Sequence, residues 1–152
     1  MSVSIRTATV ADLDTLYEFE QGVIAAERPF DPTLRPGHIS YYDLAAMLDD
    51  PLVDLVVAEH EGRVIGSGYA RVQAAKAFNA HPEYAYLGFM YVRPEYRGQG
   101  VNAQVLEALR TRARGRGLTE LRLEVYAENA AAIRAYEKAG FAPLLVEMRM
   151  KV

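Results

Sequence analysis

Apolar and polar positions change period several times along this chain. Val3–Ala8 alternates, as a half-buried strand does. Thr9 followed by Asp12 is a capping signal, and a helical period runs behind it from about Ala11 to Ala26. The stretch RPFDPTLRPG, Arg28–Gly37, breaks the pattern with prolines and a glycine. His38–Asp49 resumes a helical period, with Pro51 beyond its end. Leu55–His60 and Val64–Gln73 read as strands joined through Glu61-Gly62-Arg63, a hairpin. Tyr84–Val92 is a further strand. Gly100–Arg114 puts Val101, Val105, Leu109 and Ala113 on one helical stripe, and Gly115-Arg116-Gly117 stops it. Leu121–Val125 is a short strand. Asn129 caps a helix running to Ala139, Gly140 ends it, and Leu144–Met150 is a last strand.

The predicted order is strand, two helices, three strands, helix, strand, helix, strand. The hairpin makes the first part antiparallel, and the helical crossover after Val92 makes the next pair parallel. The fold class is therefore α/β of the mixed α+β kind, a mixed and mostly antiparallel sheet with helices on its faces. No repeat, low-complexity tract or linker interrupts residues 1–152, and that length fits one domain with a real core.

Composition narrows the chemistry. No apolar run approaches the roughly 20 residues of a membrane span. The N-terminus lacks a basic start followed by an apolar stretch, so a cytoplasmic location is the expectation. The chain has no cysteine, which excludes disulfides, thiolate metal sites and a cysteine nucleophile. His38, His60 and His81 are scattered without ligand spacing, so no metal site is expected. Net charge is −3, but residues 1–60 hold eleven acids and three arginines, and residues 93–122 hold seven arginines and three acids. One block suits a cation and the other an anion, or both are solvated surfaces. Nucleic-acid binding needs a stronger basic excess, and no membrane partner is expected.

A glycine-rich turn carrying positive charge, VRPEYRGQGVN, joins the Tyr84–Val92 strand to the next helix. A helix N-terminus offers unpaired N–H groups, and glycines let a ligand approach that backbone. Arg97, Gly98, Gln99, Gly100, Val101 and Asn102 can thus cradle a phosphate or pyrophosphate, with Arg93 and Arg97 adding charge-assisted contacts. Three readings compete: a bare connection with unusual backbone angles, a dinucleotide fingerprint through Gly98, Gly100 and Ala103, and a coenzyme A pyrophosphate loop. The fingerprint is weak here, because the turn follows an antiparallel hairpin and five intervening residues, Arg93–Arg97.

VRPEYRGQGVN resembles the Q/R-x-x-G-x-G/A acyl-CoA loop of the GNAT superfamily of N-acetyltransferases. LEVYAENAAAIRAYEKAGF, Leu123–Phe141, resembles that family's next block, in the right order and spacing. Asn102 departs from the pattern, standing where Gly or Ala is expected. The resemblance implies a sheet splayed at the fourth and fifth strands and acetyl-CoA as acyl donor. It implies that backbone groups of Met90, Tyr91 and Val92 pair with the pantetheine arm as an added strand does. Residues Arg97 to Asn102 would hold the pyrophosphate, and Asn129 would contact pantetheine or act only as a helix cap. Gly88 inside the fourth strand hints at a bulge.

For the chemistry, Tyr136 resembles the family's general acid; its alternative is a core aromatic beside Ile133. Glu124 shares a strand face with Arg122. It resembles the fifth-strand general base of the branch that acetylates ribosomal-protein N-termini; its alternative is an ion pair with Arg122 or Arg134. Tyr84, Tyr86 and water are rivals for the base. On the first helix Glu20 and Glu27 lie seven and fourteen residues from Leu13, on its apolar stripe. A carboxylate there needs a partner or a cavity, unless Gly22 bends the helix and turns both acids outward.

The resemblance puts the acceptor beside this helix and the loop after it. Glu20, Glu27, Tyr42 and Tyr86 would receive an amine, and Arg28 an acceptor carboxylate. The expected activity is acetyl transfer from acetyl-CoA to a small, amino-acid-like primary amine by direct attack. A protein N-terminal acetyltransferase and a non-catalytic acyl-CoA sensor are the rivals. A homodimer is open to such a chain, since dimers are frequent in the family.

Overall fold

The computed structural model describes all 152 residues. Its five strands lie in sequence order: β1 (Ser4–Thr7), β2 (Val53–His60), β3 (Arg63–Ala74), β4 (Glu83–Val92) and β5 (Leu121–Arg122). The first four pair antiparallel and β5 pairs parallel to β4. The β2–β3 hairpin turns at Glu61 (φ 49°) and Gly62 (φ 76°), consecutive left-handed residues whose twist matches the flanking strands.

Four helices flank the sheet: α1 (Leu13–Glu27), α2 (Leu44–Asp49), α3 (Val101–Gly115) and α4 (Ala130–Lys138). Strand alternation sorts the core into two layers. One face buries Val56, Ala58, Ile65, Ala70, Ala85 and Leu87 under the α3 stripe, where Val101, Val105, Leu109 and Ala113 are all buried. The other buries Leu55, Val57, Tyr69 and Phe89 under Leu16 and Phe19 of α1 and Leu44 and Met47 of α2. Asp12 anchors the start of α1. It takes a two-pronged bond from Arg6 at 2.8 and 2.9 Å and a third from the Thr9 amide at 2.8 Å.

Two irregularities shape β4. Tyr69 pairs with Gly88 and Ser67 with Tyr91, so two steps along β3 answer three along β4. The extra residue is a bulge, with Phe89 at φ 58°, and the buried Ser67 hydroxyl donates to the Phe89 carbonyl at 3.0 Å. Glycine is required at 88 because a Cβ there would lie 2.5 Å from the Tyr69 hydroxyl oxygen. Further along, β5 pairs with β4 only at Ala85–Leu121 and Tyr86–Arg122. From Leu87 to Val92, β4 has β3 on one side and no strand on the other. This is the splay expected between the fourth and fifth strands.

Four expectations need correction. The second helix is α2 alone, not His38–Asp49. The Tyr41 and Tyr42 amides, which a helix would use internally, donate to the Glu20 carboxylate at 3.0 and 2.8 Å. Asp43 then caps α2 by accepting from Ala46 at 3.1 Å. Gly22 does not bend α1, which runs unbroken; a Cβ there would meet the Tyr91 ring at 2.6 Å, so this glycine seats an aromatic. The fifth strand is two residues, not Leu121–Val125. Leu144–Met150 forms no strand, because β5 offers too short a ladder to extend, and its apolar side chains stay exposed. That terminal segment is tied instead by Arg149, which donates to Asp31 and the Thr33 hydroxyl, each at 2.9 Å.

Candidate active site

The turn into α3 has the backbone an anion needs. Gly98 (φ 74°) and Gly100 (φ 81°) are left-handed, and an added Cβ at either would meet no protein atom within 4 Å. Glycine is therefore required by conformation, with open space above it. Gln104 donates the first helical bond, to Gly100 at 3.2 Å, so the N–H groups of Gly98 through Ala103 have no turn or cap partner. Val101, buried in the α3-side core, fixes the first turn. The Arg97 Nε donates to the Val92 carbonyl at 2.8 Å, and its guanidinium lies 5.5 Å from the Tyr91 ring centroid. Gln99 closes back on the Glu95 carbonyl at 3.2 Å. Arg93 faces elsewhere: it bonds the Val64 carbonyl and Glu18 and sits over Phe19.

The unpaired length of β4 runs toward this turn. Met90 packs on the α3-side core, while the Tyr91 ring leans on Phe19 at 4.6 Å. Val92 keeps one carbonyl lone pair free beside the Arg97 bond. Across the splay, Asn129 caps α4 by accepting from Ala132 at 3.2 Å, leaving its NH2 without a protein partner. Tyr136, one face of α4 away, is half-buried against Phe141 (ring centroids 5.8 Å) and the α3-side core. Burial lifts its phenol above the ordinary range, and the Glu27 charge adds to this, so the hydroxyl holds its proton at neutral pH.

The opposite face of the sheet carries a pocket of about 390 Å³ lined by Tyr41, Tyr42, Asp43, Ala46, Met47, Asp50, Tyr69, Arg71 and Tyr86. The Tyr42 ring lies edge-on to Tyr69 and Tyr41, at 5.7 Å from each. Burial raises the Tyr42, Tyr69 and Tyr86 phenols, so all three stay protonated. The exposed Glu124 carboxylate faces Tyr86 and adds to the rise there. Glu124 is not paired with Arg122, which binds Glu120 and covers the Tyr84 ring at 4.2 Å.

The remaining acids on α1 differ from each other. Glu20 is 2% exposed, and its Oε2 accepts both the Tyr41 and Tyr42 amides, so it shapes the pocket wall from behind. Glu27 lies against the Tyr41 hydroxyl without a well-aligned hydrogen bond. Burial lifts its carboxyl; the Tyr41 contact opposes this and Asp31 adds to it. Arg28 turns away from the pocket, donating to the Arg35 and Gly37 carbonyls at 2.9 and 2.6 Å. The structure thus brings Tyr42, Tyr86 and Glu124 together, with Glu27 and Tyr136 within electrostatic reach of one another, and leaves Arg28 apart. Sequence reasoning missed Tyr69 and Arg71 in the pocket. Their signal was the β3–β4 register, which pairs Arg71 with Tyr86 and puts Tyr69 and Arg71 on one face of β3.

A family model, Acetyltransferase (GNAT) family, matches residues 16–141. The chain belongs to the GNAT acetyltransferase family. Among curated GNAT relatives, the L-methionine sulfoximine/L-methionine sulfone acetyltransferase of Pseudomonas aeruginosa is 33% identical over 148 residues, 93% of this chain and 81% of the relative. Solved structures share the fold at low identity. A predicted acetyltransferase from Clostridium acetobutylicum with acetyl-CoA is 18% identical, with a TM-score of 0.75 over 99% of this chain and 96% of the other. An aminoglycoside antibiotic 6'-N-acetyltransferase from Acinetobacter haemolyticus is 15% identical, with a TM-score of 0.73 over 98% and 99%. The GNAT splay, with the glycine turn at one end and the tyrosine pocket on one side, is the candidate active site. No helix is long and apolar enough to cross a membrane.

Proposed function

We propose that residues 1–152 act as one GNAT domain, transferring an acetyl group from acetyl-CoA to the primary amine of a small, amino-acid-like acceptor. The observation that carries the small acceptor is the pocket. About 390 Å³ lined by tyrosines suits a molecule of amino-acid size and not a folded protein. The 33% identical relative, named for acetylating methionine sulfoximine and sulfone, supports the same class.

The roles follow from the chemistry of each group. The N–H groups of Gly98 to Ala103 receive the pyrophosphate of the donor, and the free edge of Leu87–Val92 receives its arm. The acceptor amine must be neutral to attack the thioester carbonyl carbon. For an α-amine of pKa near 8 that costs about 1.4 kcal/mol at pH 7, and for a lysine-like amine near 10.4 about 4.6 kcal/mol. Glu124, beside Tyr86, takes that proton directly or through water. As the C–S bond breaks, Tyr136 donates its proton to the departing sulfur. Direct attack in a ternary complex needs no acyl-enzyme, in keeping with a chain that has no cysteine.

The test is free-thiol release from acetyl-CoA with L-methionine sulfone, an aminoglycoside or a short peptide as acceptor. Release with the amino acid, and the N-acetyl product by mass, is the expected result. Preference for the peptide would assign a protein N-terminus instead. Tight acetyl-CoA binding without turnover on any amine would mark a sensor. Acetyl-CoA should also raise the melting temperature of the wild type and not of Gly100→Asp, since it binds only the folded state.

A further inference from the structure

The pocket contains one cation, and it lacks an ionic partner. Arg71 makes no salt bridge. Its Nε is buried without any hydrogen-bond acceptor, and its one side-chain bond is a long 3.4 Å contact from a terminal nitrogen to the Tyr69 hydroxyl. A buried guanidinium N–H left unpaired carries the desolvation cost of a charged donor with nothing to offset it, so native structures rarely keep one without a use. The group is nonetheless held in place: its plane packs over the Tyr69 ring, 5.3 Å from the centroid, and its strand position is fixed by pairing with Val53 and Tyr86.

The acids that share the pocket are occupied. Asp43 accepts the Ala46 amide as the α2 cap, and Asp50 accepts the Leu52 amide at 2.9 Å. Neither bonds Arg71. The pocket therefore presents a positioned guanidinium at its sheet floor, with Nε unpaired and the terminal nitrogens held only by the long Tyr69 contact, and a planar oxyanion matches two of its N–H groups. Arg71 and Tyr86 are paired across β3 and β4, and Glu124 faces Tyr86. A ligand with its anion on Arg71 thus lies along the row that leads to the carboxylate assigned to take the amine proton.

We propose that Arg71 is the carboxylate-binding residue of the acceptor site. Acceptors are therefore α-amino acids, recognised by both ends, and not simple amines. This rests on the acetyl-transfer reading above and makes a narrower claim.

The test compares L-methionine sulfone, its α-carboxamide and its decarboxylated amine, with wild type, Arg71→Met and Arg71→Lys. Methionine keeps the packing on Tyr69, and lysine keeps the charge without the fork. Wild type should favour the free carboxylate over the carboxamide by tenfold or more in KM, the scale of one charge-assisted bond. Arg71→Met should raise the KM for the acid by about 10- to 100-fold. It should leave the KM for the carboxamide and for acetyl-CoA within about twofold, and Arg71→Lys should recover part of the loss. Equal use of acid and carboxamide by the wild type would overturn the assignment while leaving acetyl transfer standing. So would an Arg71→Met loss shared equally by both acceptors. If no acceptor turns over, the acetyl-transfer reading fails. Arg71 is then judged by melting temperature alone: a rise with L-methionine sulfone, absent with its carboxamide and lost in Arg71→Met, supports the assignment, and equal shifts overturn it.

Discussion

The two faces of the sheet are built for different purposes. The α3 face is apolar in its buried interior: Val56, Ala58, Ile65, Ala70, Ala85 and Leu87 meet Val101, Val105, Leu106, Leu109 and Ala113, and the half-buried Tyr136 packs at its margin. The α1/α2 face buries Glu20 and Tyr69 and gathers Tyr42, Tyr86 and Arg71 around an open volume, with Glu124 next to Tyr86. Strand alternation alone produces this division, since Ala70 and Ala85 go one way while Tyr69, Arg71 and Tyr86 go the other. One face supplies stability with few specific polar demands. The other accepts buried polar groups, which need partners, in return for chemistry.

Breaking the apolar face should have the largest effect, and on stability only. Leu109→Ala empties a fully buried site and should lower unfolding free energy by about 2–5 kcal/mol, read by denaturant titration. The acceptor KM of the remaining folded enzyme should stay unchanged. Tyr136→Phe should do the reverse: kcat falls roughly 100-fold while the melting temperature and acetyl-CoA affinity move little. Unchanged kcat would return Tyr136 to packing against Phe141.

Glu20→Ala tests whether a buried acid serves the site through the loop. It strands the Tyr41 and Tyr42 amides, so stability should drop by about 2 kcal/mol and the acceptor KM should rise, with the acetyl-CoA KM unaffected. A drop in stability with both KM values unmoved would make Glu20 a purely structural clasp.

The smallest expected effect is a pH dependence at Glu27. Burial raises its folded pKa above the unfolded value, so the folded state binds this proton more tightly. Stability from this group is therefore greatest below the unfolded pKa. It falls as pH rises through the window up to the folded pKa, and the loss is complete above it. Glu27→Gln should make the enzyme slightly more stable at neutral pH and leave it unaltered in acid, measured by melting curves across pH. Greater destabilisation at neutral than at acid pH would reverse the sign.

How much was legible in sequence follows the same division. The α3 stripe, the hairpin, the glycine turn and the bulge near Gly88 were readable, because each rests on local periodicity or on a residue whose backbone demands are singular. The start of α2 was not, because Glu20, some twenty residues earlier, takes the Tyr41 and Tyr42 amides away from the helix. Leu144–Met150 alternates like a strand but has no ladder to join, a fact decided by the two-residue length of β5. Glu20 read as a carboxylate needing a partner or a cavity, and its partners are the Tyr41 and Tyr42 amides. Arg28 read as an anion site and is closed into its own loop by Arg35 and Gly37. The Glu20 contact joins segments some twenty residues apart, and the Arg28 contacts depend on how its loop closes on itself.

Hydrogen exchange with the two substrates added separately tests the division of labour most directly. Acetyl-CoA should slow exchange at Gly98–Asn102, whose amides lack protein partners, and along the free edge of Leu87–Val92. L-Methionine sulfone, added to the coenzyme A complex, should slow exchange around Tyr41–Asp43 and Tyr69–Arg71 and leave the α3 face unchanged. Protection by acetyl-CoA confined to the tyrosine pocket, or by the acceptor confined to α3, would contradict the assignment of donor and acceptor to these places.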